Sequence, residues 1–526
     1  MLYPSDPEPA MKVSAERPES LKVNRTLSPL PAKKFGYPEA RHLLWRAGFG
    51  GNDAQIETLV KWGLEKSVDH LLNVDKIEYE PVALEAFDKE IMRPVSAEER
   101  ALYRNAAKSQ DENALAQFRI KRQMQEQDDR KQVREMQKWW LKRMIESPKP
   151  LEEKLTLFWH GHFATSYRTI QNSYHMFMQN HLFREHAVGN FGDMLFSIIR
   201  DPAMIAYLNN NESRKGRPNE NLAREIMELF ALGLGNYSED DIKEGARALT
   251  GYTFDDDEFV FKKNDHDAGA KTILGSTGKF DGDEFVKLIL GNRGCSQYMC
   301  RKLYTFFVTD LPPDERVRFD DLEIAPRMII RELANTFVAA RYEVKPVLKK
   351  LFMSEHFYST AFLNEQIKSP ITLIVGAIRS LNAPVRDLSI LVDALDLMGQ
   401  EILFPPSVKG WAGGRSWINT STIFVRQNIM AFLITGKKPQ GYDATADTVQ
   451  YDVLELLKEF AAKDPAAMKD SALVAAHLLK LTTGRVEPHA VAALAKHSAT
   501  GGADINNAAL TNMMLLITAM PEYQLC

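Results

Sequence analysis

Residues 218–235 read PNENLAREIMELFALGLG. Leu, Ala, Arg, Glu and Met are strong helix formers, and Gly233 and Gly235 close the run as a helix stop. Leu222, Ile226 and Leu229 recur at helical spacing and supply an apolar face. The polar positions are as ordered as the apolar ones. Asn221 and Glu225 lie four apart, as do Arg224 and Glu228, so each pair shares one side of a helix. Glu225 and Glu228, three apart, are neighbours. Two carboxylates meeting at one spot can bind a divalent ion, or can raise one glutamate's pKa for acid/base work. The plainer reading is a surface helix on which Arg224 neutralises the acids.

Outward from this stretch the helical pattern continues. Residues 148–250 are mostly helical, with Leu151, Leu155 and Trp159 on one face and Ser238, three before Asp241, as an N-cap. Upstream, Leu43, Leu44 and Ala47 form a stripe, Gly48, Gly50 and Gly51 interrupt it, and Asn52 or Asp53 caps the next helix. Residues 96–147 are dense in charge. Val133, Met136, Trp140 and Met144 mark a long helix there that Ser147-Pro148 ends. In 251–280 the short pieces EFVF and KTIL favour strands. The expected fold is mainly α: a multi-helix globular body with a small β-hairpin insertion near 255–275. The expected organisation is a flexible arm (1–36), a helical domain (37–435) and a C-terminal helical segment (436–526), after a polar stretch at 436–449.

The totals exclude several classes. The 526 residues are 44% hydrophobic, enough for a large core, and 26% charged with a formal net charge of -4. Charges so balanced offer no footprint for nucleic acid. No apolar run is long enough for a membrane span. Three cysteines lack metal-finger or CxxC spacing, with a Cys295–Cys300 link left open. The N-terminus has no apolar stretch or twin arginine, so the default expectation is a cytoplasmic chain without a signal peptide.

Three further segments could carry chemistry. LFWHGHFATS (157–166) places His160 and His162 two apart. On a continuous helix they diverge by about 200° and cannot share a ligand; in an extended segment they point the same way and can chelate. The alternative is a pair of structural histidines among Phe158, Trp159 and Phe163. DHDAGAKTILG (265–275) sets His266 and Asp267 on a turn, where they could ligate a metal or activate water, or merely make the turn. GWAGGRSWINTST (410–422) combines Trp411, Trp417, Arg415 and Asn419, suited to glycan or peptide contact or to pinning an ordered loop. There is no GxSxG, HExxH, GxGxxG or GxxxxGK[ST].

Several of these pieces, taken in order, are similar to one family. RHLLWRAGFGGNDAQIETL (41–59), LTLFWHGHFATS (155–166), NENLAREIMELFALGLGNYSEDDIKEGARALTGYTF (219–254), HDAGAKTILG (266–275) and SVKGWAGGRSWINTST (407–422) together resemble the bacterial domain-of-unknown-function family 1800, over roughly residues 37–435. The resemblance implies a largely helical protein, often exported, whose gene often lies beside a family that resembles alkaline-phosphatase-like or sulfatase-like proteins. Members often carry His where this chain has Phe230 and Asn where it has Gly161, so a metal site using the first would be incomplete here.

Two functions are expected. One is a hydrolase of a cell-envelope or extracellular polymer. Glu225, Glu228, His266 and Asp267 would be its catalytic groups. Asn221, Arg224, Trp411, Arg415, Trp417 and Asn419 would hold the substrate, and His160 and His162 a metal. The cofactor is left unknown, with one divalent metal ion as the candidate. The other is a non-catalytic helical scaffold that binds a phosphatase-like or sulfatase-like partner.

Overall fold

A computed structural model describes residues 23–84, 87–439, 447, 449–498 and 505–526. The chain is mainly α, as its periodicity predicts. Most of the expected arm, residues 1–22, lies outside the described residues, as does most of the polar stretch at 436–449. Residues 23–36 lie on the body: Leu27, Leu30 and Phe35 are buried, and the Leu30 amide donates to the Met353 carbonyl at 2.8 Å.

Local sequence sets the helix ends. Tyr37–Arg46 starts with Pro38 in its first turn. The glycines that follow make a turn rather than a linker. Gly50 has φ +81, and a β-carbon there would press on the Trp45 indole. Asn52 then caps Asp53–Trp62 in a box with Gln55, and Ser238 caps Glu239–Ala248 in a box with Asp241. The charged segment forms two helices rather than one. Ala97–Ser109 ends at Gln110, in left-handed conformation, and Asp111 caps the 35-residue helix Glu112–Glu146. The first half of that helix is solvated. Its buried side starts at Asp129 and runs through Val133, Met136, Trp140 and Met144.

Helix Pro150–His162 packs beside this long helix and against Ser173–Glu185. A buried ion cluster ties the three together. The fully buried Glu153 accepts from Trp140 Nε1 at 3.0 Å, Arg143 Nε at 2.5 Å and Arg184 Nε at 2.9 Å.

The β content lies where EFVF and KTIL place it, as two small hairpins. Tyr252–Asp255 pairs with Glu258–Phe261, and Lys271–Ile273 pairs with Ser276–Gly278. The second turn uses Leu274 and Gly275, both with positive φ, the pattern of a tight two-residue hairpin.

The C-terminal helices join the same buried cluster as the N-terminal ones. Arg41, on the first helix, donates to the Leu481 carbonyl at 2.9 Å and to that of Thr482. Thr420–Thr435 packs on Asn507–Ala519, and Arg426 donates to Gln524 at 3.0 Å. The three cysteines are buried and free. No helix among the described residues is long and apolar enough to cross a membrane.

Candidate functional site

The stretch that opens as the helix Asn221–Glu225 does not stay α-helical. Residues Ile226–Ala231 widen into a π-helical turn, and the amides of Leu232 and Gly233 both donate to the Met227 carbonyl. Gly233, at φ +73, ends the run, and a β-carbon there would collide with the Tyr298 ring. A widened turn leaves carbonyls that its own helix does not satisfy. Two side chains supply donors. Tyr298 Oη donates to the Leu229 carbonyl at 2.9 Å, and His162 Nε2 meets the Phe230 carbonyl at 2.8 Å.

That second bond gives His162 its role. The imidazole can serve a carbonyl only as a donor, so its Nε2 carries the proton. Burial, and then the Lys302 ammonium, push its pKa down to about 3, which keeps the ring neutral. His160 also sits on the continuous helix, but on another side. Its ring lies 5.4 Å from Trp140, 5.5 Å from Trp411 and 6.4 Å from Phe183, and burial alone pushes its pKa to about 3. The extended geometry that would let the two rings chelate one ion is not formed. Among the described residues no group of three or more His, Cys, Asp or Glu is disposed to hold a metal.

The Trp-rich loop closes over this helix end. Gly410 has φ +73, and a β-carbon there would overlap the Gly161 carbonyl oxygen. The indole of Trp411 lies against Gly161. Lys409, next to it, pairs with Glu315 at 2.6 Å and lies in the field of both Glu228 and Glu225. Glu225 is half-buried. Desolvation first, then the Glu228 carboxylate, raise its pKa above the ordinary value. Glu228 accepts from Tyr237 Oη at 3.1 Å. Lys302 is half-buried over the Tyr298 ring, 5.1 Å from its centre, and desolvation lowers its pKa. Three segments therefore converge: the HGH helix end, the Glu225–Glu228 turn and the loop at 409–411.

A family model matches residues 42–525. The chain belongs to DUF1800. That family is described as one of unknown function, and the match runs past residue 435 through the C-terminal helices. No curated protein and no solved structure matches the chain.

The remaining candidates of this DUF1800 chain fall elsewhere. His266 is held by the Thr250 carbonyl at 3.0 Å and packs on Phe261. Asp267 pairs with Arg247 through two bonds of 2.7 and 3.2 Å, which hold its carboxyl well below the usual range. No hydrogen bond or ion pair among the described residues joins either to Glu225 or Glu228. Arg224 turns to Glu220 and Glu239, each at 3.0 Å, instead of to Glu228. Asn221 is exposed. Trp417 is buried, its carbonyl accepting from Thr422 Oγ1 at 3.0 Å, and Asn419 caps the helix Thr420–Thr435. Arg415 is exposed at the loop surface. Phe230 is fully buried 5.2 Å from the Phe163 ring. Sequence reasoning missed Tyr237, Lys302, Glu315 and Lys409. Two had a signal, Tyr237 in the GLGNY motif and Lys409 in the SVKGW motif.

Proposed function

We propose that this DUF1800 chain is a hydrolase of a cell-envelope or extracellular polymer, with Glu225 as proton donor and Glu228 as its partner carboxylate. One observation carries the reading: two glutamates, Glu225 at the entry to the widened turn and Glu228 within it, sit in unequal environments. Glu225 is pushed toward its protonated form by burial and by Glu228, while Glu228 has the Tyr237 hydroxyl to hold it in place. Pairs of acids whose environments separate them suit acid/base work, one giving a proton to the leaving group while the other takes one from water. Lys409 and Trp411 rim the turn and would contact the polymer, the indole through its face.

The test is hydrolysis of dye-labelled peptidoglycan, neutral and acidic polysaccharides and a peptide pool, by the wild type and by Glu225→Gln and Glu228→Gln. The expected result is release from one substrate, reduced about 100-fold or more in each variant, with thermal stability preserved. Equal release by wild type and both variants would refute it.

A second reading, a non-catalytic scaffold for a phosphatase-like or sulfatase-like partner, is favoured by the hairpin of Ala97–Ser109 on Glu112–Glu146. It leaves Leu102, Tyr103, Ile120 and Met124 half or more exposed, as partner-binding faces do. A Leu102→Lys/Met124→Lys variant that still co-purifies with the same partner from the native host would count against it.

A further inference from the structure

A second cleft lies away from the carboxylate pair and shares no lining residue with it. It has a volume of about 340 Å³, between the long helix Glu112–Glu146, the turn at Tyr167–Gln171 and the loop at 401–404. That is within the range of small-ligand pockets. Its apolar side is Val133, Tyr167 and Phe404. Tyr167 is fixed in place: its hydroxyl donates to Asp129 Oδ2 at 2.8 Å, and Asp129 is itself held by the Ser173 amide at 3.1 Å and hydroxyl at 2.5 Å. The Phe404 ring meets Tyr167 edge-on at 5.5 Å. Just before Phe404, Leu403 stands at φ +70, a left-handed conformation that a branched residue adopts only when the surroundings enforce it. The Tyr167 amide, donating to the Leu403 carbonyl at 3.0 Å, is one of the contacts that enforce it. Residues held in such conformations cluster at ligand sites.

The rim of the cleft is charged. Arg134 is engaged by Asp393, and Arg168 by Glu401 at 3.2 Å, its guanidinium 5.8 Å from the centre of the Phe404 ring and covering one side of it. Arg130 makes no hydrogen bond or ion pair among the described residues, although it lies close enough to act on Tyr167 electrostatically. A free guanidinium beside a prearranged aromatic wall asks for an anion on a body with an apolar face. Two acids share the rim: Glu126, one oxygen of which pairs with Arg122 at 2.9 Å, and Glu401. They disfavour a dianion such as phosphate about twice as strongly as a single carboxylate, and they accept hydrogen bonds from hydroxyls.

We propose that this cleft binds a hexuronate sugar ring. The carboxylate sits on Arg130, one ring face lies against Phe404 and Tyr167, and the hydroxyls meet Glu126 and Glu401. A fatty acid would satisfy the arginine and the apolar wall but not the rim acids. A neutral hexose would leave Arg130 unpaired. The site stands independently of the hydrolase reading, because binding, not turnover, defines it.

The test is calorimetric titration of the full chain with glucuronate, glucose and acetate, repeated with Arg130→Met, and with Arg119→Met as a surface control. The expected result is glucuronate affinity at least tenfold above both glucose and acetate. Arg130→Met should lose at least tenfold of it, with an unchanged melting temperature, and Arg119→Met none. Glucuronate binding no better than acetate would reduce the cleft to a bare cation, and binding no better than glucose would remove the role of Arg130. Either result, or wild-type affinity in Arg130→Met, overturns the proposal.

Discussion

Acid should unfold this protein earlier than its surface charges alone would require, and His160 gives the effect a size. In the folded chain its ring is 2% exposed and its pKa is lowered to about 3, against 6.5 for the free side chain. The unfolded chain therefore binds the proton first as pH falls. The stabilisation from keeping this ring neutral is complete above pH 6.5 and is lost progressively between 6.5 and 3. At pH 5 the free histidine is about 1.5 units below its pKa, so the loss is about 2 kcal/mol for His160. His162, 7% exposed with the same lowered value, adds about as much. Together that is about 4 kcal/mol, a large part of a typical stability of roughly 5–15 kcal/mol. His160→Phe isolates one of the two. Its Nε2 has no hydrogen-bond partner, and the ring lies among Trp140, Phe183 and Trp411, so phenylalanine loses no bond there. Urea melts followed by tryptophan fluorescence at pH 7.5 and pH 5 would measure the fall for each protein. Wild type should fall by about 2 kcal/mol more than His160→Phe. An equal fall would mean that His160 is not a neutral buried ring, and the argument for the HGH helix end would fail with it.

Two other perturbations follow from packing. Glu153→Gln leaves the buried Arg143 and Arg184 without their shared counter-ion. Burial works to raise the Glu153 pKa, but Arg184 and Arg143 hold it below the ordinary value. The variant should lose about 3–5 kcal/mol, seen as a large drop in melting temperature; a change within about 1 °C would show the cluster to be dispensable. Gly410→Ala combines a left-handed backbone, costing about 1–2 kcal/mol, with overlap on the Gly161 carbonyl. The loop should lift from the helix end and Trp411 should leave His160, read as a shifted tryptophan emission. An unshifted spectrum with wild-type stability would contradict that contact.

Most of the fold was legible because its signals are local. Asn52 and Ser238 cap helices as their positions suggest, and the Val133–Met144 stripe faces inward because its period is helical. The break at Gln110–Asp111 was hidden, since a left-handed glutamine has no composition signal of its own. EFVF and KTI form strands where their composition places them, each in a hairpin with a neighbour: Tyr252–Asp255, itself rich in strand formers, and Ser276–Gly278, whose pairing is set by turn geometry rather than by composition. The carboxylate pair was visible as Glu225 and Glu228. Its setting was not: Lys409 pairs with Glu315 across 94 positions, and His162 serves Phe230 across 68. Arg224 was assigned to Glu228 by counting four along an α-helix, yet it pairs with Glu220 and, across to the next helix, with Glu239.

The widened turn at Ile226–Ala231 has an evolutionary side. A π-helical turn amounts to an α-helix that has accepted one extra residue. Loss of any single codon between 226 and 231 would let the ladder close again as ordinary helix. Everything on one side of the deletion would then swing by about 100° relative to the other, carrying Glu225 away from Lys409 while Tyr298 and His162 kept their places. The vulnerable event for this turn is thus a one-residue deletion, which would dismantle the carboxylate pair even where the lost residue is one of the apolar five and no acid is altered.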